Sequence, residues 1–282
     1  MSNRTLGSLS MLAAAFLFST GGLLMKLSRW NPLAVNGVRN LIACAVIGTY
    51  LLLTHHKVRL NKTIAAGAVC IISATTMYSV ANKLTTAGNT VVLQYTAPVW
   101  VVILMYLFFR KKPGRLELSA IGIVLAGIIC FFIDSLSVGH MAGDLCALCG
   151  GLFFAGMFMM NTFENGDALS SMFIGQLITG IVLSPLLIRE TDFRAAAVVP
   201  VLLLGLFQIG ISYIFFSYGT ANTDPVTASV INALEPILNP ILVAVFYGEM
   251  LGRLSLAGAF IVIGGVLFYN LAQIRKTGTA SS

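Results

Sequence analysis

The sequence predicts an all-α integral membrane protein with ten transmembrane helices, built as two inverted five-helix repeats. Three observations support this fold class. Hydrophobic residues make up 57% of the chain and charged residues only 10%, whereas soluble domains carry about 25% charged residues. Apolar runs of roughly 20 residues, the length that crosses a bilayer as a helix, follow one another along the chain. One long segment also recurs, without a gap, 138 residues further on.

Polar residues, glycine or proline bound each apolar run, and these bounds predict the helix ends. With 282 residues, the chain has room for about ten spans and for no separate soluble domain. Arg4 and the apolar run after it look like a signal peptide, but nine spans follow, so an uncleaved first helix is expected. The predicted spans are 7–27, 33–54, 63–82, 88–109, 116–134, 142–162, 169–188, 197–219, 225–247 and 253–273.

The internal repeat relates the fourth and fifth spans to the ninth and tenth. An odd number of crossings in each copy makes the second copy enter the bilayer upside down. This predicts repeats at residues 1–137 and 138–275, followed by a polar tail at 276–282. Inverted repeats are typical of secondary transporters, whose substrate site lies near the midplane between them. The identical pairs are Pro98 with Pro236, Phe108 with Phe246, Gly114 with Gly252, Arg115 with Arg253, Leu116 with Leu254, Leu118 with Leu256, Ile123 with Ile261, Val124 with Val262 and Gly127 with Gly265.

Small residues form stripes in the fifth and tenth spans, which the repeat pairs with each other. Such stripes let transmembrane helices approach closely. We therefore expect these two spans to form a tightly packed scaffold. The residues are Gly122, Ala126, Gly127, Ala257, Gly258, Gly264 and Gly265.

Lysine and arginine predict the orientation of the chain. With the N-terminus inside, the inner loops and ends hold ten of these residues and the outer loops six, and basic loops favour the cytoplasm. The basic run at 110–112 is replaced by Gly-Glu-Met at 248–250, as expected for a loop on the opposite side. Both termini are therefore predicted in the cytoplasm. The net charge of +7 is spread over short loops, which argues against nucleic-acid binding.

Ionisable and amide side chains inside a span are costly and indicate function. The ninth span holds Asn232, Glu235 and Asn239, whose i, i+3, i+7 spacing places them on one face of a continuous helix. Glu235 is the acidic residue nearest the middle of any span. Its carboxylate must pair with a cation, face water or take up a proton, so Glu235 is also the candidate for proton coupling.

Prolines give the fourth and ninth spans a second shared property. Proline lacks an N–H, so Pro98 and Pro236 leave the carbonyls of Gln94 and Asn232 without their helical partner; Pro240 is a further helix-kink candidate. Gln94 and Asn232 are matched by the repeat. Their amides either compensate for the kinked helices or line a substrate cavity between the repeats.

Aromatic residues supply the apolar half of a candidate cavity. Tyr78 and Phe216 coincide under the repeat. Each of these residues could simply pack in the protein or at the membrane interface. Alternatively, as a group beside Glu235, they would line a cavity for an organic solute of apolar or cationic character, since aromatic faces attract cations. The candidates are Tyr78, Tyr95, Trp100, Tyr213 and Phe216.

Three further residue types have simpler interpretations. Arg39, two turns into the second span and roughly opposite Gln176 in the repeat, either reaches the interface, holds a neighbouring helix or contacts an anion. Cys146 and Cys149 have CxxC spacing but lack a second ligand pair, which favours packing over a metal or redox role. The histidines lie in loops. The sequence thus predicts no metal and no cofactor.

These motifs resemble the EamA-type family of the drug/metabolite transporter superfamily over essentially the whole chain. The motifs are Tyr-Thr-Ala-Pro at 95–98, Leu-Glu-Pro at 234–236, Gly-Glu at 248–249 and Gly-Gly at 264–265. The resemblance implies two five-helix halves and export of amino acids, amines, nucleosides or drugs, with some members importing choline-like solutes. The first copy departs from the pattern at Lys111 and Lys112, which membrane sidedness explains.

The expected function is alternating-access transport of a small organic metabolite, an amino acid or related amine, across the cytoplasmic membrane. The resemblance favours export, and a single chain is expected to form the pathway. Gln94, Asn232 and Asn239 would bind polar groups, and Glu235 would pair with an amine or exchange a proton. One alternative is an importer of a quaternary amine. A more remote one is an intramembrane enzyme or scaffold, which the sequence disfavours because no histidine or second carboxylate accompanies Glu235.

Overall fold

The computed structural model describes residues 3–136, 138–247 and 252–278, and that part of the chain is helical with short connections. Short 3₁₀ turns follow three of the helices, at Ile133–Ser135, Met160–Thr162 and Ser184–Arg189, and a π-helical segment occupies Leu204–Ile211. The α-helices are α1 (Asn3–Leu27), α2 (Pro32–Leu53), α3 (Lys62–Leu84), α4 (Ala87–Gln94), α5 (Ala97–Phe109), α6 (Arg115–Phe132), α7 (Met141–Met159), α8 (Ala168–Leu183), α9 (Ala195–Leu203), α10 (Ser212–Asn222), α11 (Pro225–Asn232), α12 (Glu235–Tyr247) and α13 (Arg253–Gly278).

The described residues confirm ten spans. Nine segments are long and apolar enough to cross a membrane, and the third span contributes a shorter apolar stretch at Lys62–Tyr78. The fourth span is α4 with α5, the eighth is α9 with the π segment and α10, and the ninth is α11 with α12. The predicted Gly-Glu motif at 248–249 lies outside the described residues.

The helix contacts follow the two-fold symmetry that the internal repeat predicts. The third span, α3, packs on the sixth span, α7. The repeat relates this pair to the eighth and first spans, and α10 of the eighth span likewise packs on α1. Likewise α3 packs on α8, and α2 packs on the π segment. The pairs that map onto themselves, α2 with α8 and α6 with α13, complete the pattern. Because each half has five crossings, this arrangement makes the second half run inverted with respect to the first.

Contacts between connections fall into two groups, one at each end of the bundle. On the end that holds the N-terminus, Lys111 pairs with Asp224, and His56 Nε2 lies 2.6 Å from Asp167 Oδ2. On the opposite end, Trp30 Nε1 donates to the carbonyl of Asp192 at 2.6 Å. Each of these contacts joins the two sequence halves, so each end of the bundle is bridged between halves.

Glycines on α6 and α13 allow these helices to touch. A Cβ at Gly258 would lie 2.4 Å from the backbone nitrogen of Phe131, and one at Gly127 would lie 2.7 Å from the side chain of Val262. Gly122 and Gly264 have nothing within 4 Å. The close approach predicted for spans five and ten is therefore present, but only some of the small residues take part in it.

The fourth and ninth spans are each divided into two helices by a two-residue turn. α4 ends at Gln94 and α5 begins at Ala97, while α11 ends at Asn232 and α12 begins at Glu235. In both cases proline is the second residue of the new helix, a position where its missing N–H has no helical partner to lose. Pro240 lies inside α12. The repeat thus places two matched helix breaks inside the membrane-spanning bundle.

Candidate substrate site

The two broken spans meet inside the bundle. α11 packs against α5, and α7 packs against both α4 and α5. Gly151 of α7 permits this contact, because a Cβ there would lie 2.8 Å from the main-chain oxygen of Gln94. Non-helical backbone at membrane depth is tolerated where it is buried in protein or lines a cavity, which makes the two breaks the first place to look for a binding site.

Glu235 lies at the start of α12 with polar neighbours from both sequence halves. Asn232 Nδ2 donates to Glu235 Oε2 at 3.2 Å across the helix break. The Tyr95 hydroxyl, at the break in the fourth span, interacts with the same carboxylate. A helix N-terminus favours a negative charge. Glu235 is therefore held by groups that stabilise a carboxylate.

The matched amides at the breaks are incompletely bonded. The side-chain oxygens of Gln94 and Asn232 are both buried without a hydrogen-bond partner among the described residues. Asn232 is fully buried. Buried polar atoms in native proteins are nearly always paired, so two unpaired acceptors at equivalent positions call for a specific explanation, such as a donor that is supplied by a solute or water.

Asn232, Glu235 and Asn239 lie on two helices, because a two-residue turn separates Asn232, at the end of α11, from Glu235, at the start of α12. The backbone of Ala233 in this turn stays near the helical conformation, and Asn232 contacts Glu235 three residues further on. Asn239 lies one turn further along α12, and its amide packs on α1, where a Cβ at Gly22 would lie 2.0 Å from Asn239 Oδ1. Asn232 and Glu235 thus share a direct contact, whereas Asn239 faces the first span.

The predicted aromatics divide into polar-site and packing residues. Tyr95 and Tyr213 are buried and share the electrostatic surroundings of Glu235. Phe216 is fully buried and packs against the rings of Phe18, Phe158 and Tyr213, which is the arrangement of a core residue. Tyr78 is 38% exposed and Trp100 packs half-buried on the main core. The structure therefore brings Tyr95 into contact with the glutamate and Tyr213 within its electrostatic range.

Arg39 of α2 lies close to this group. The Tyr213 hydroxyl is in electrostatic range of both Arg39 and Glu235. Tyr78 is similarly close to Arg39 and Tyr95. Tyrosine hydroxyls thus lie near both a guanidinium and a carboxylate. Gln176, the approximate repeat counterpart of Arg39, lies beside Tyr213, and its amide nitrogen is buried without a well-formed hydrogen bond.

Amides surround the Arg39 guanidinium. Nε and Nη2 donate to Asn36 Oδ1 at 3.0 and 2.7 Å, and Nη1 reaches Gln208 Oε1 at 3.5 Å. Asn40 donates to the same Asn36 oxygen at 3.3 Å. Gln208 belongs to the π segment, a rare helix form that often occurs at functional sites. Among the described residues, no carboxylate forms an ion pair with Arg39.

Sequence reasoning selected Glu235 and Tyr95 but did not single out Asn36, Asn40 or Gln208. The available signal was the presence of amide residues inside apolar spans. In particular, Asn36, Arg39 and Asn40 have i, i+3, i+4 spacing, which places them on one helix face. Gln208 could be recognised as a neighbour only from the fold, since 169 positions separate it from Arg39.

Two carboxyls outside the spans have altered proton affinity. Hydrogen bonds from Arg194 lower the pKa of Asp192 to about 2. For Asp167, burial alone would raise the pKa, but hydrogen bonds from Ser170 and His56 outweigh burial and lower it. Both carboxyls are therefore held as anions in contacts at the two ends of the bundle.

A family model describes this architecture. The EamA-like transporter family matches residues 5–133 and again residues 141–271. The chain belongs to the EamA-like transporter family. The two matches correspond to the two five-helix halves, each containing one of the broken proline-bearing spans.

Relatives of this EamA-like transporter agree with the assignment. An uncharacterized transporter of Clostridium kluyveri is 23% identical over 239 residues, which cover 77% of this chain and 76% of that protein. The fold also matches a solved crystal structure of a protein, with a TM-score of 0.82 and 17% sequence identity. The match covers 96% of this chain and 99% of the chain in that crystal structure. At this identity the structural match establishes the fold alone.

Proposed function

We propose that this EamA-like transporter moves a small organic metabolite, an amino acid or related amine, across the cytoplasmic membrane by alternating access. Export is the favoured direction. The observation that carries the proposal is the group at the matched helix breaks, where Glu235, Asn232 and Tyr95 are in contact and Gln94 and Asn232 retain unpaired oxygens. An ammonium supplies positive charge and N–H donors, which suits both the carboxylate and the amide oxygens.

The two halves would provide the alternating motion. Contacts between halves bridge each end of the bundle, including Lys111 with Asp224 at one end and Trp30 with Asp192 at the other. Opening one end requires these polar contacts to separate, while the glycine-packed pair α6 and α13 stays together. A partly exposed ion pair such as that of Lys111 contributes about 0.2–1 kcal/mol, and a hydrogen bond such as that of Trp30 about 0.5–1.5 kcal/mol, so these contacts can open without a large barrier.

Glu235 has a second proposed role as the proton carrier. A carboxylate near the midplane can exchange its charge for a proton, and a substrate ammonium would compete with that proton for the same group. Competition of this kind couples the two movements in opposite directions, which fits export driven by proton entry. Four further residues are proposed to contact the substrate at the edges of the same site: Gln94, Asn239, Tyr78 and Trp100.

Import of a quaternary amine is the second candidate. Tyr95 and Tyr213 beside Glu235 favour it, because aromatic faces attract organic cations by about 0.5–2 kcal/mol. Such a solute offers no N–H donor to the unpaired oxygens of Gln94 and Asn232. This mismatch places it second.

Reconstitution tests transport directly. The purified chain is first screened by thermal shift against amino acids, amines, nucleosides and choline, since a ligand that binds the folded state raises apparent stability. Radiolabelled hits are then measured for flux in proteoliposomes with and without an imposed pH gradient. Saturable flux of an amino acid or amine is expected. Absence of flux for every solute in the screen would overturn the proposal.

Orientation is tested separately with C-terminal reporter fusions. Both termini are proposed to lie in the cytoplasm, so a fluorescent-protein fusion should fluoresce and an alkaline-phosphatase fusion should be inactive. The opposite pair of results would reverse the orientation and, with it, the assignment of the Lys111 and Asp224 end as the inner one.

A further inference from the structure

We infer that the transported solute is dipolar, with a carboxylate as well as an ammonium, and that Arg39 receives its carboxylate. This inference rests on the proposed function and narrows it. The solute would be an amino acid, in contrast to a simple amine or choline; a betaine carries the same two charges but, like choline, offers no N–H donor. Arg39 would then determine specificity at the end of the site opposite Glu235.

Arg39 has N–H donors to spare. A guanidinium carries five N–H groups, and its hydrogen bonds use one each on Nε, Nη1 and Nη2. One N–H on each Nη therefore has no partner among the described residues. A carboxylate accepts two parallel N–H bonds from an arginine, which matches the pair of donors that is left.

The groups that surround Arg39 are neutral. Asn36 and Gln208 accept its hydrogen bonds through amide oxygens, and the Tyr213 and Tyr78 hydroxyls lie in electrostatic range. Among residues whose side chains the structure describes, Glu235 forms no ion pair with a cation and Arg39 forms none with a carboxylate. An isolated charge inside a membrane-spanning bundle is costly, so both groups have a missing counter-charge.

Arg39 and Glu235 share tyrosine neighbours. The Tyr213 hydroxyl lies in electrostatic range of both charged groups, and the Tyr78 hydroxyl lies in range of Arg39 and of Tyr95, which contacts Glu235. The same tyrosines therefore lie near both charges. A solute with a negative and a positive end neutralises both, whereas a monovalent amine leaves Arg39 unpaired.

Amides from both halves of the chain position Arg39. Asn36 fixes one edge of the guanidinium with two bonds, and Gln208 of the π segment lies against α1, where a Cβ at Gly21 would be 3.1 Å from its Nε2. Helices from both halves thus hold the guanidinium in place. A pre-positioned receptor loses little conformational freedom when it binds.

A matched set of probes tests the inference. Each of three pairs combines a solute that carries a carboxylate with a close analogue that lacks one: phenylalanine with phenethylamine, lysine with cadaverine, and glycine betaine with choline. Thermal shift and proteoliposome flux are measured for each member with the full chain. At least one dipolar member should be transported more than tenfold faster than its carboxylate-free partner.

Variants of Arg39 locate the discrimination. Arg39→Gln should reduce flux of the preferred dipolar solute at least tenfold and bring the ratio within its pair close to one, while Arg39→Lys retains part of the preference. Arg59→Gln, which changes an exposed loop arginine, is the matched control and should keep the wild-type ratio. The flux of a carboxylate-free partner also reports whether each variant is folded and active.

The possible failures are distinct. Preference of the wild-type chain for the carboxylate-free members would overturn the inference and leave amine transport standing. An equal loss of flux for both members of a pair in Arg39→Gln would show that Arg39 is structural. Absence of flux for all six probes overturns the inference and, with the wider screen also negative, the proposed function.

Discussion

Asn232 donates its side-chain N–H to Oε2 of Glu235 at 3.2 Å across the break in the ninth span. The bond joins the last residue of α11 to the first residue of α12, so it spans the point where the helical hydrogen bonding is interrupted. It holds the carboxylate beside the Tyr95 hydroxyl from the other half. Two variants test the site at the helix breaks, and two others test the packing of α6 on α13 and a carboxyl at one end of the bundle.

Glu235→Gln should abolish uptake that is driven by a pH gradient while leaving substrate exchange partly intact. The amide cannot take up a proton, yet it has nearly the same shape and can still accept from Asn232. Flux in proteoliposomes, with and without the gradient, separates the two activities. Glu164→Gln changes an exposed acid and should behave as wild type. Unchanged proton dependence in Glu235→Gln would remove Glu235 from the coupling mechanism.

Gln94→Met should lower transport about tenfold without lowering thermal stability. The side-chain oxygen of Gln94 is buried and unpaired, and a buried unpaired polar group costs about 1–3 kcal/mol, so its removal is neutral or stabilising. Melting in detergent and flux are measured on the same preparation. A large drop in melting temperature would instead support the interpretation that Gln94 compensates for the break in the fourth span.

Gly258→Ala should destabilise the chain by about 1–3 kcal/mol, the usual cost of overpacking a tight contact. The new Cβ would lie 2.4 Å from the backbone nitrogen of Phe131, which cannot move independently of α6. Gly264→Ala is the matched control in the same helix, because nothing lies within 4 Å of its position. Equal melting temperatures for the two variants would contradict the close packing of α6 on α13.

Asp192→Asn should lower stability at neutral pH, with an effect that disappears in acid. The folded-state pKa of Asp192 is about 2, below the ordinary value of 3.8, because Arg194 hydrogen-bonds the carboxylate. Its contribution is therefore fully present above about pH 4 and is lost as the pH falls towards 2. The difference in melting temperature between wild type and variant is followed from pH 7 to pH 2.5.

The control for this pH series is Asp134→Asn, a change at another exposed acid of the same end of the bundle. A wild-type minus Asp192→Asn difference that stays constant down to pH 2.5 would contradict the depressed pKa. Neighbouring Arg29, 3.7 Å from the same carboxylate, gives a second probe, since Arg29→Gln should reduce the Asp192 effect only slightly in so exposed a pair.

Sequence patterns predicted the ten spans well because apolar length is a local property. The ends were close: the second span was predicted at 33–54 and forms Pro32–Leu53, and the sixth was predicted at 142–162 and ends in the turn Met160–Thr162. The third span was predicted at 63–82 and forms Lys62–Leu84.

The candidate site was predicted in part. Glu235, Asn232 and Tyr95 were selected for polarity and position, and they are in contact. The interruption of the ninth span was predicted only as a kink at Pro236, whereas the structure forms two helices, α11 and α12, joined by a two-residue turn. Proline indicates an interruption, but whether a helix bends or breaks depends on the neighbours that can satisfy the freed backbone.

By itself, the sequence determined that the chain is a membrane protein of ten helices, that its halves are duplicated and that the second is inverted, since composition, span length and an odd crossing number suffice for these. Tertiary structure alone decided which polar residues meet: Tyr95 with Glu235 across the halves, and Arg39 with Gln208 across 169 positions. Hydrophobic patterning specifies that a helix is buried in lipid or protein. It does not specify the rotation and neighbours of that helix, and these depend on how all ten helices pack together.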